Sequence, residues 1–237
     1  MDSTERLAFE HLRHRGFKDI RYEPDGNVPP DFVADERVAI EVRRLNQHED
    51  TPGSTRGLDE TAIPFQRTVC RVLDSFGPPR TGASWFVSYN FRRPLPGRRV
   101  MLRTLREALE RFVRQPDPKD VRMQIEDTVA LRFHRASELH STMFILGGSA
   151  DHDGGGFVIA ELLRNLSICI TDKTEKVAAR RDRYQEWWLI LVDEIAYGSL
   201  DPGDIDQLRG LFDSRSKAGW STIVLVSPLD PARAIEL

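Results

Sequence analysis

Lysine is scarce in this chain of 237 residues, which has 29 arginines but only five lysines, at positions 18, 119, 173, 176 and 217. Any reaction that needs a lysine side chain must therefore use one of these five. The two cysteines, Cys70 and Cys169, lie in apolar helical patterns without the CxxC or Cys/His spacing of a zinc site, which predicts buried thiols. No apolar run approaches the roughly 18 residues of a membrane span. Because the first residues also lack the apolar segment of a signal peptide, we expect a cytoplasmic protein without a membrane partner.

The composition is that of a globular protein, with 40% apolar and 30% charged residues. The net charge of −3 argues against a protein that coats nucleic acid along its whole surface. The excess of arginine suits phosphate binding through guanidinium groups, but a GC-rich coding sequence would produce the same excess. Composition alone therefore leaves a local phosphate-binding surface open.

Alternating helical and strand patterns predict one mixed-sheet α/β domain over residues 1–237, with residues 92–150 as the segment most suited to an insertion. The predicted helices are 3–15, 58–76, about 100–115, 157–184 and 204–215. The predicted strands are 18–23, 31–34, 37–45, 85–90, 121–133, 139–146, 187–193 and 221–226. The glycine-rich residues 147–156 (GGSADHDGGG) predict a flexible loop.

Two carboxylates are expected to meet at a hairpin near the start of the chain. In PDFVADERVAIEV, Asp31 opens one strand and Glu41 lies inside the next, across the turn Asp35-Glu36. Side chains two residues apart on a strand share a face, so Glu41 and Arg43 should project together. Two converging carboxylates repel each other unless a cation lies between them, and oxygen ligands suit Mg²⁺ or Mn²⁺. Such an ion activates water and neutralises charge on a phosphodiester.

Pro30-Asp31, nine intervening residues and Glu41-Val42-Arg43 resemble the PD-(D/E)XK signature of the restriction-endonuclease-like nuclease superfamily. The fold that this resemblance implies is a helix, a three-strand meander, a helix and a strand, which fits residues 3–90, with additional helices and strands beyond. Glu10, or Glu5 one turn earlier, matches the extra acidic metal ligand that many members carry on the first helix. The later segment TDKTEKVAARRDRYQEWWLILVDE is similar to one found in several uncharacterised members.

Arg43 departs from the superfamily pattern, which has lysine at this position. In the family that lysine orients the attacking water or stabilises the phosphorane, and arginine cannot usefully accept a proton. Three alternatives follow: Arg43 stabilises charge while the metal activates water, a lysine arrives from elsewhere, or the site is inactive. Lys173 and Lys176 are the candidates for a displaced lysine. With Arg180 and Arg183 they should form one basic stripe on a helix.

The resemblance implies a metal-dependent nuclease, with Asp31, Glu41 and Arg43 as catalytic residues and Glu10, Asp31 and Glu41 as ligands of Mg²⁺ or Mn²⁺. The expected partner is nucleic acid, with DNA foremost, and a homodimer is compatible with the family. The expected nucleic-acid contacts are Arg99, Arg103, Arg106, Lys173 and Lys176, the first three on a basic amphipathic helix. The alternative is an inactive module that binds nucleic acid or a protein. His48 could reach the site, although its position after the strand favours a surface side chain.

Overall fold

A computed structural model describes residues 1–49, 56–79, 82–115, 120–212 and 215–237. The chain divides into two compact units. The first consists of Met1–Thr55 and Gly155–Leu237, and the second of Arg56–Gly154. None of the described helices is long and apolar enough to cross a membrane.

In its described residues, the first unit contains three α-helices, a 3₁₀ helix and a six-stranded sheet. Its helices are α1 (Ser3–His14), α4 (Val158–Val177), the 3₁₀ helix (Ala178–Arg183) and α5 (Pro202–Leu211). Its strands are β1 (Ile20–Tyr22), β2 (Phe32–Ala34), β3 (Val38–Leu45), β8 (Glu186–Asp193), β9 (Thr222–Val226) and β10 (Ala234–Glu236). The sheet order is β1-β2-β3-β8-β9-β10. Strands β3, β8 and β9 run parallel, and the other neighbours are antiparallel, so the sheet is mixed.

Both faces of this sheet are covered, which explains the apolar runs in its central strands. One core contains Ala8 and Leu12 of α1 with Ile40 and Val42 of β3. The opposite core contains apolar residues of α4 together with Ala39 and Leu45 of β3. Strand β8 is buried at every position after Glu186, as is usual for a parallel strand at the centre of a covered sheet.

The part of the second unit that the structure describes contains a four-stranded sheet and two α-helices. The helices are α2 (Asp59–Asp74) and α3 (Arg98–Val113), and the strands are β4 (Trp85–Phe91), β5 (Val121–Glu126), β6 (Val129–Arg135) and β7 (Phe144–Asp151). The sheet order is β5-β6-β4-β7. Along β4, buried positions alternate with half-buried ones, so only one face of this sheet is packed against the apolar core of the unit.

The assignment of residues 58–90 to the core around the hairpin was wrong. Strand β4 pairs with β6 and β7, and the strand that pairs with β3 is β8, which follows α4. The two strands differ in burial. Only β8 is apolar on both sides, as its place between β3 and β9 requires, whereas the alternation in β4 suits a sheet with one covered face.

Several element boundaries also differ from the predictions, and three of the differences are large. Residues 147–151 of the expected loop belong to β7, where Gly148 lies opposite Ser88 at a register shift. The expected strand over residues 121–133 is a hairpin that turns between β5 and β6. The long helix expected to reach residue 184 ends at Val177 and continues as the 3₁₀ helix. Short β10 was not predicted.

Candidate functional site

Two side chains of β3 contact α4. Glu41 and Arg43 are two residues apart on the strand, so both leave the same side of the sheet. Glu41 accepts a hydrogen bond from Lys173, and Arg43 forms a close ion pair with Asp172. The shared face was predicted from the alternation, but the sequence did not show that α4 covers it.

Asp31 brings a second carboxylate to the same place. It immediately precedes β2, which pairs with β3 so that Phe32 lies opposite Ile40. Asp31 Oδ2 accepts a hydrogen bond of 2.7 Å from the backbone N–H of Val42, the neighbour of Glu41. This bond fixes the Asp31 carboxylate against β3.

Lys173 interacts with both carboxylates. Its Nζ is 2.6 Å from Glu41 Oε2 and 3.7 Å from Asp31 Oδ2. Lys176, nearly one turn further along α4, places its Nζ 3.2 Å from the same oxygen of Glu41. Glu41 is fully buried and Lys173 is buried, whereas the Lys176 side chain is 47% exposed. A buried carboxylate is tolerated when it is paired, and two ammonium groups pair with this one.

Burial and neighbouring charges shift the pKa values of Asp31 and Lys176 in this cluster. Burial raises the pKa of Asp31, and Glu41 raises it further; Lys173 and the Val42 N–H oppose them without cancelling the increase. Burial lowers the pKa of Lys176, but Glu41 and Asp31 outweigh burial and leave this pKa above its ordinary value. Lys176 is therefore a cation at neutral pH.

No protein-family model, curated protein or solved structure matches this chain. Among the described residues, no group of three or more His, Cys, Asp or Glu side chains could hold a metal ion. Asp31 and Glu41 nevertheless supply two carboxylates, and Glu41 Oε1 is buried without a hydrogen-bond partner. Because Mg²⁺ is often held by one or two carboxylates together with water and phosphate, the pair fits such an ion.

Besides its ion pair with Asp172, Arg43 belongs to a hydrogen-bond network that the sequence did not reveal. Its Nη2 is 3.3 Å from His48 Nε2, and His48 Nδ1 is 2.8 Å from Asn165 Oδ1. An arginine can only donate, so Nε2 accepts, and the tautomer of neutral His48 that satisfies both contacts carries its proton on Nδ1. His48 is 3% exposed, so its assignment to the surface was wrong. The guanidinium of Arg43 thus joins β3 to α4.

Glu10 lies on the exposed side of α1, whose buried residues are Ala8, His11 and Leu12. The structure does not bring Glu10 together with Asp31 and Glu41, since no three-residue acidic cluster is found in the part of the chain that it describes. Glu5 instead caps the start of α1 and accepts a hydrogen bond of 3.0 Å from Tyr22.

The remaining basic residues separate into different groups. Arg99, Arg103 and Arg106 are exposed on α3 of the second unit, and Arg103 is 4.0 Å from Glu107. Arg180 and Arg183 lie in the 3₁₀ helix and both pair with Asp25. The expected single stripe with Lys173 and Lys176 is therefore wrong, because the lysines contact Glu41 and the α-helix ends before the arginines.

The cysteines differ in burial. Cys169 is fully buried under β3, and burial raises the pKa of its thiol to about 11, so it carries almost no thiolate at neutral pH. Cys70 is only half-buried. The prediction of a buried thiol is confirmed for Cys169 and wrong for Cys70.

The position of Lys173 in α4 is the signal that could have identified this site. The buried residues of α4 recur at helical spacing: Leu162, Asn165, Leu166, Cys169, Ile170, Lys173 and Val177. Two members of this set are polar. A lysine at a core-facing position needs a buried anion, and a buried asparagine needs hydrogen-bond partners. Reading α4 in this way would have indicated that Lys173 faces a buried carboxylate and that Asn165 faces a buried polar group, although it would not have said which ones.

Proposed function

We propose that this protein is a metal-dependent nuclease of the restriction-endonuclease-like kind, which hydrolyses phosphodiester bonds of nucleic acid, with DNA as the expected substrate. The observation that carries the proposal is the cluster of Asp31, Glu41 and Lys173, with one ammonium group near two carboxylates. Two acidic residues and one lysine are the combination that the PD-(D/E)XK resemblance implies. Here the lysine belongs to α4 instead of β3.

The order of elements supports the same proposal. Helix α1, the antiparallel strands β1 to β3, helix α4 and the parallel strand β8 follow one another once residues 56–154 are set aside. This is the succession of helix, three-strand meander, helix and strand that the resemblance implies. The second unit would then be an insertion between β3 and α4.

Asp31 and Glu41 would hold the Mg²⁺ or Mn²⁺ ion, which would supply activation of water and neutralisation of charge on the phosphate. Glu10, the third ligand that the resemblance implies, lies on the exposed side of α1 and is not brought together with them, so the proposal assigns it no role. Binding of a cation would also favour ionised Asp31, whose pKa burial raises.

Lys173 takes the place of the missing lysine in this proposal. Its Nζ donates to Glu41 Oε2 and lies near Asp31, so its positive charge is available where charge develops on the attacked phosphate. Lys176 has a more exposed ammonium group and would contact a phosphate oxygen of the substrate. Arg43 has a positioning role, because Asp172 and His48 engage its guanidinium.

The test is cleavage of single- and double-stranded DNA and RNA in Mn²⁺, Mg²⁺ or EDTA. Asp31→Asn and Glu41→Gln preserve shape while removing charge, and Asp25→Asn is the matched control because Asp25 pairs with arginines in the same unit. We expect metal-dependent cleavage that each site variant lowers by at least about 100-fold and the control leaves intact. Cleavage of both strands of a duplex would call for two copies of the site, as in a homodimer.

One observation favours a second function, that of an inactive module that binds nucleic acid or a protein. Lys173 and Lys176 already neutralise buried Glu41 without a metal, as a purely structural ion cluster would. Metal titration separates the two. If Mn²⁺ does not bind, or binds equally well to Glu41→Gln, and no substrate is cut, the nuclease proposal fails and the module remains.

A further inference from the structure

The second unit contains a cleft between α2 and the start of α3. It encloses about 480 Å³, and apolar side chains that include Phe65, Leu95 and Met101 line it. Three exposed arginines line the same cleft: Arg67, Arg71 and Arg98. A cavity of this size suits a ligand, and its lining combines an apolar surface with several donors.

The walls of the cleft are built by local features of the sequence. Pro64 lies inside α2, where it removes one backbone hydrogen bond. The hydroxyl of Thr68 donates a hydrogen bond of 2.8 Å to the Pro64 carbonyl oxygen. Arg93 lies two residues before Leu95. It donates a hydrogen bond of 2.7 Å to Thr61 Oγ1 and one of 2.6 Å to the Leu58 carbonyl oxygen. These hydrogen bonds connect the segment before α3 to the start of α2.

Within the described residues, no ion pair neutralises the positive charge of the cleft. No described carboxylate forms an ion pair with Arg67, Arg71 or Arg98, and α3 has no acidic residue in its first turn. Glu60 is the one acidic residue in the lining, and it accepts a hydrogen bond from the Gly57 N–H. Three arginines and one glutamate thus line this cavity, which gives its lining an excess of positive charge.

A second cavity lies at the other end of the two helices. It is lined by Ser75 and Phe76 after α2 and by Arg106 and Arg114 of α3 and its C-cap. Arg114 is 3.2 Å from Glu110, whereas Arg106 has no ion pair with a described residue. Arginines therefore occur at both ends of the α2 and α3 pair, as an extended polyanion would require.

The second unit as a whole is positively charged, like the cleft. Residues 56–154 contain 16 arginines and lysines against 12 aspartates and glutamates, a net charge of +4, while the remaining residues contain 18 against 25, a net charge of −7. The overall charge of −3 conceals this difference. Long-range attraction of a polyanion would therefore favour the second unit.

We propose that the cleft between α2 and α3 binds the phosphodiester backbone of nucleic acid, through Arg67, Arg71 and Arg98, with Arg106 extending the contact. Planar guanidinium groups donate pairs of hydrogen bonds to phosphate oxygens, and the apolar floor accepts the sugar or base beside them. The inference takes its ligand class from the proposed function. It assigns binding to a surface separate from Asp31 and Glu41, and it includes two arginines of α2 that the sequence did not single out.

The test measures binding of fluorescent oligonucleotides by anisotropy in EDTA, so that cleavage does not contribute. The variant is Arg67→Gln with Arg98→Gln. The matched control is Arg122→Gln with Arg132→Gln, which removes the same charge from exposed arginines that lie opposite each other on β5 and β6. Single-stranded DNA, duplex DNA and RNA are compared as ligands, and poly-glutamate is the competitor.

We expect the cleft variant to weaken binding at least about 10-fold at low salt and to reduce the slope of log affinity against log salt by roughly 1.5 to 2, for two lost phosphate contacts. The control should change both quantities much less. The proposal would be overturned if the two variants had equal effects or if the parent bound no oligonucleotide. Displacement of the oligonucleotide by poly-glutamate at matched charge would also overturn it. Because the measurement needs no metal and no cutting, its failure is separate from failure of the nuclease proposal.

Discussion

Lys173 Nζ lies 2.6 Å from Glu41 Oε2, although 132 residues separate the two in sequence. The pair joins α4 to β3 in the interior of the first unit, where Glu41 is fully buried. A buried carboxylate without a cation would be costly, so this contact stabilises the fold, and the proposed function gives it a second requirement. The two requirements make separable predictions.

Loss of Lys173 should destabilise the protein because it leaves Glu41 with Lys176 alone. We expect Lys173→Met to lower the free energy of unfolding by about 3 kcal/mol. The double variant Glu41→Gln with Lys173→Met should lose at least about 1 kcal/mol less than the sum of the single changes. Urea denaturation measures all three, with the exposed Lys18→Met as control. Strict additivity would show that the pair is not coupled.

The proposed function gives Lys173 a catalytic role and Arg43 a positioning role, and one substitution at each residue separates the two. Lys173→Gln should lower cleavage by at least about 100-fold, because it removes the positive charge that lies 2.6 Å from Glu41 and 3.7 Å from Asp31. Arg43→Lys should change cleavage less than about 10-fold, because Asp172 and His48 hold this side chain. Single-turnover rates of variants with native circular dichroism provide the comparison. The reverse order of effects would return the catalytic role to Arg43.

Asp31 should make stability depend on pH in a specific direction. Its pKa is raised in the folded state, chiefly by burial, so the folded protein binds this proton more tightly than the unfolded chain does. The parent should therefore lose stability relative to Asp31→Asn as the pH rises from the ordinary value of 3.8 through the raised pKa, and the difference should level off above it. Urea midpoints of both proteins across this range test the sign. A difference that moves the other way would mean that Lys173 outweighs burial.

Asn165 should be needed to hold His48. Asn165 Oδ1 accepts from the backbone N–H of His48 at 3.1 Å and from its Nδ1 at 2.8 Å, and all of these groups are buried. Asn165→Leu has a similar size but no acceptor, so we expect it to cost about 2 to 4 kcal/mol of unfolding free energy.

The ¹⁵N chemical shifts of the His48 ring give an independent readout of the same network. They should show the Nδ1-protonated tautomer in the parent and a changed tautomer ratio in Asn165→Leu. An Nε2-protonated ring in the parent would contradict the hydrogen bonds proposed for Arg43 and Asn165.

The hairpin at residues 31–45 was predictable because its information is local. Strand alternation placed Glu41 and Arg43 on one face, and the turn at Asp35-Glu36 brought Asp31 towards them. The mixed α/β class was likewise correct. The strand after the meander was misassigned because both β4 and β8 are apolar stretches of suitable length, and pairing between distant strands is not a local property.

Most of the helices and strands, the residues that share a face of each, and the limit of five lysines available for chemistry could be read from local sequence patterns. The tertiary structure alone decided which lysine meets which carboxylate and which arginine is engaged elsewhere. The physical reason is distance along the chain. Periodicity fixes the direction of a side chain within its own element, whereas the partner of a buried charge depends on how α4 packs on the sheet.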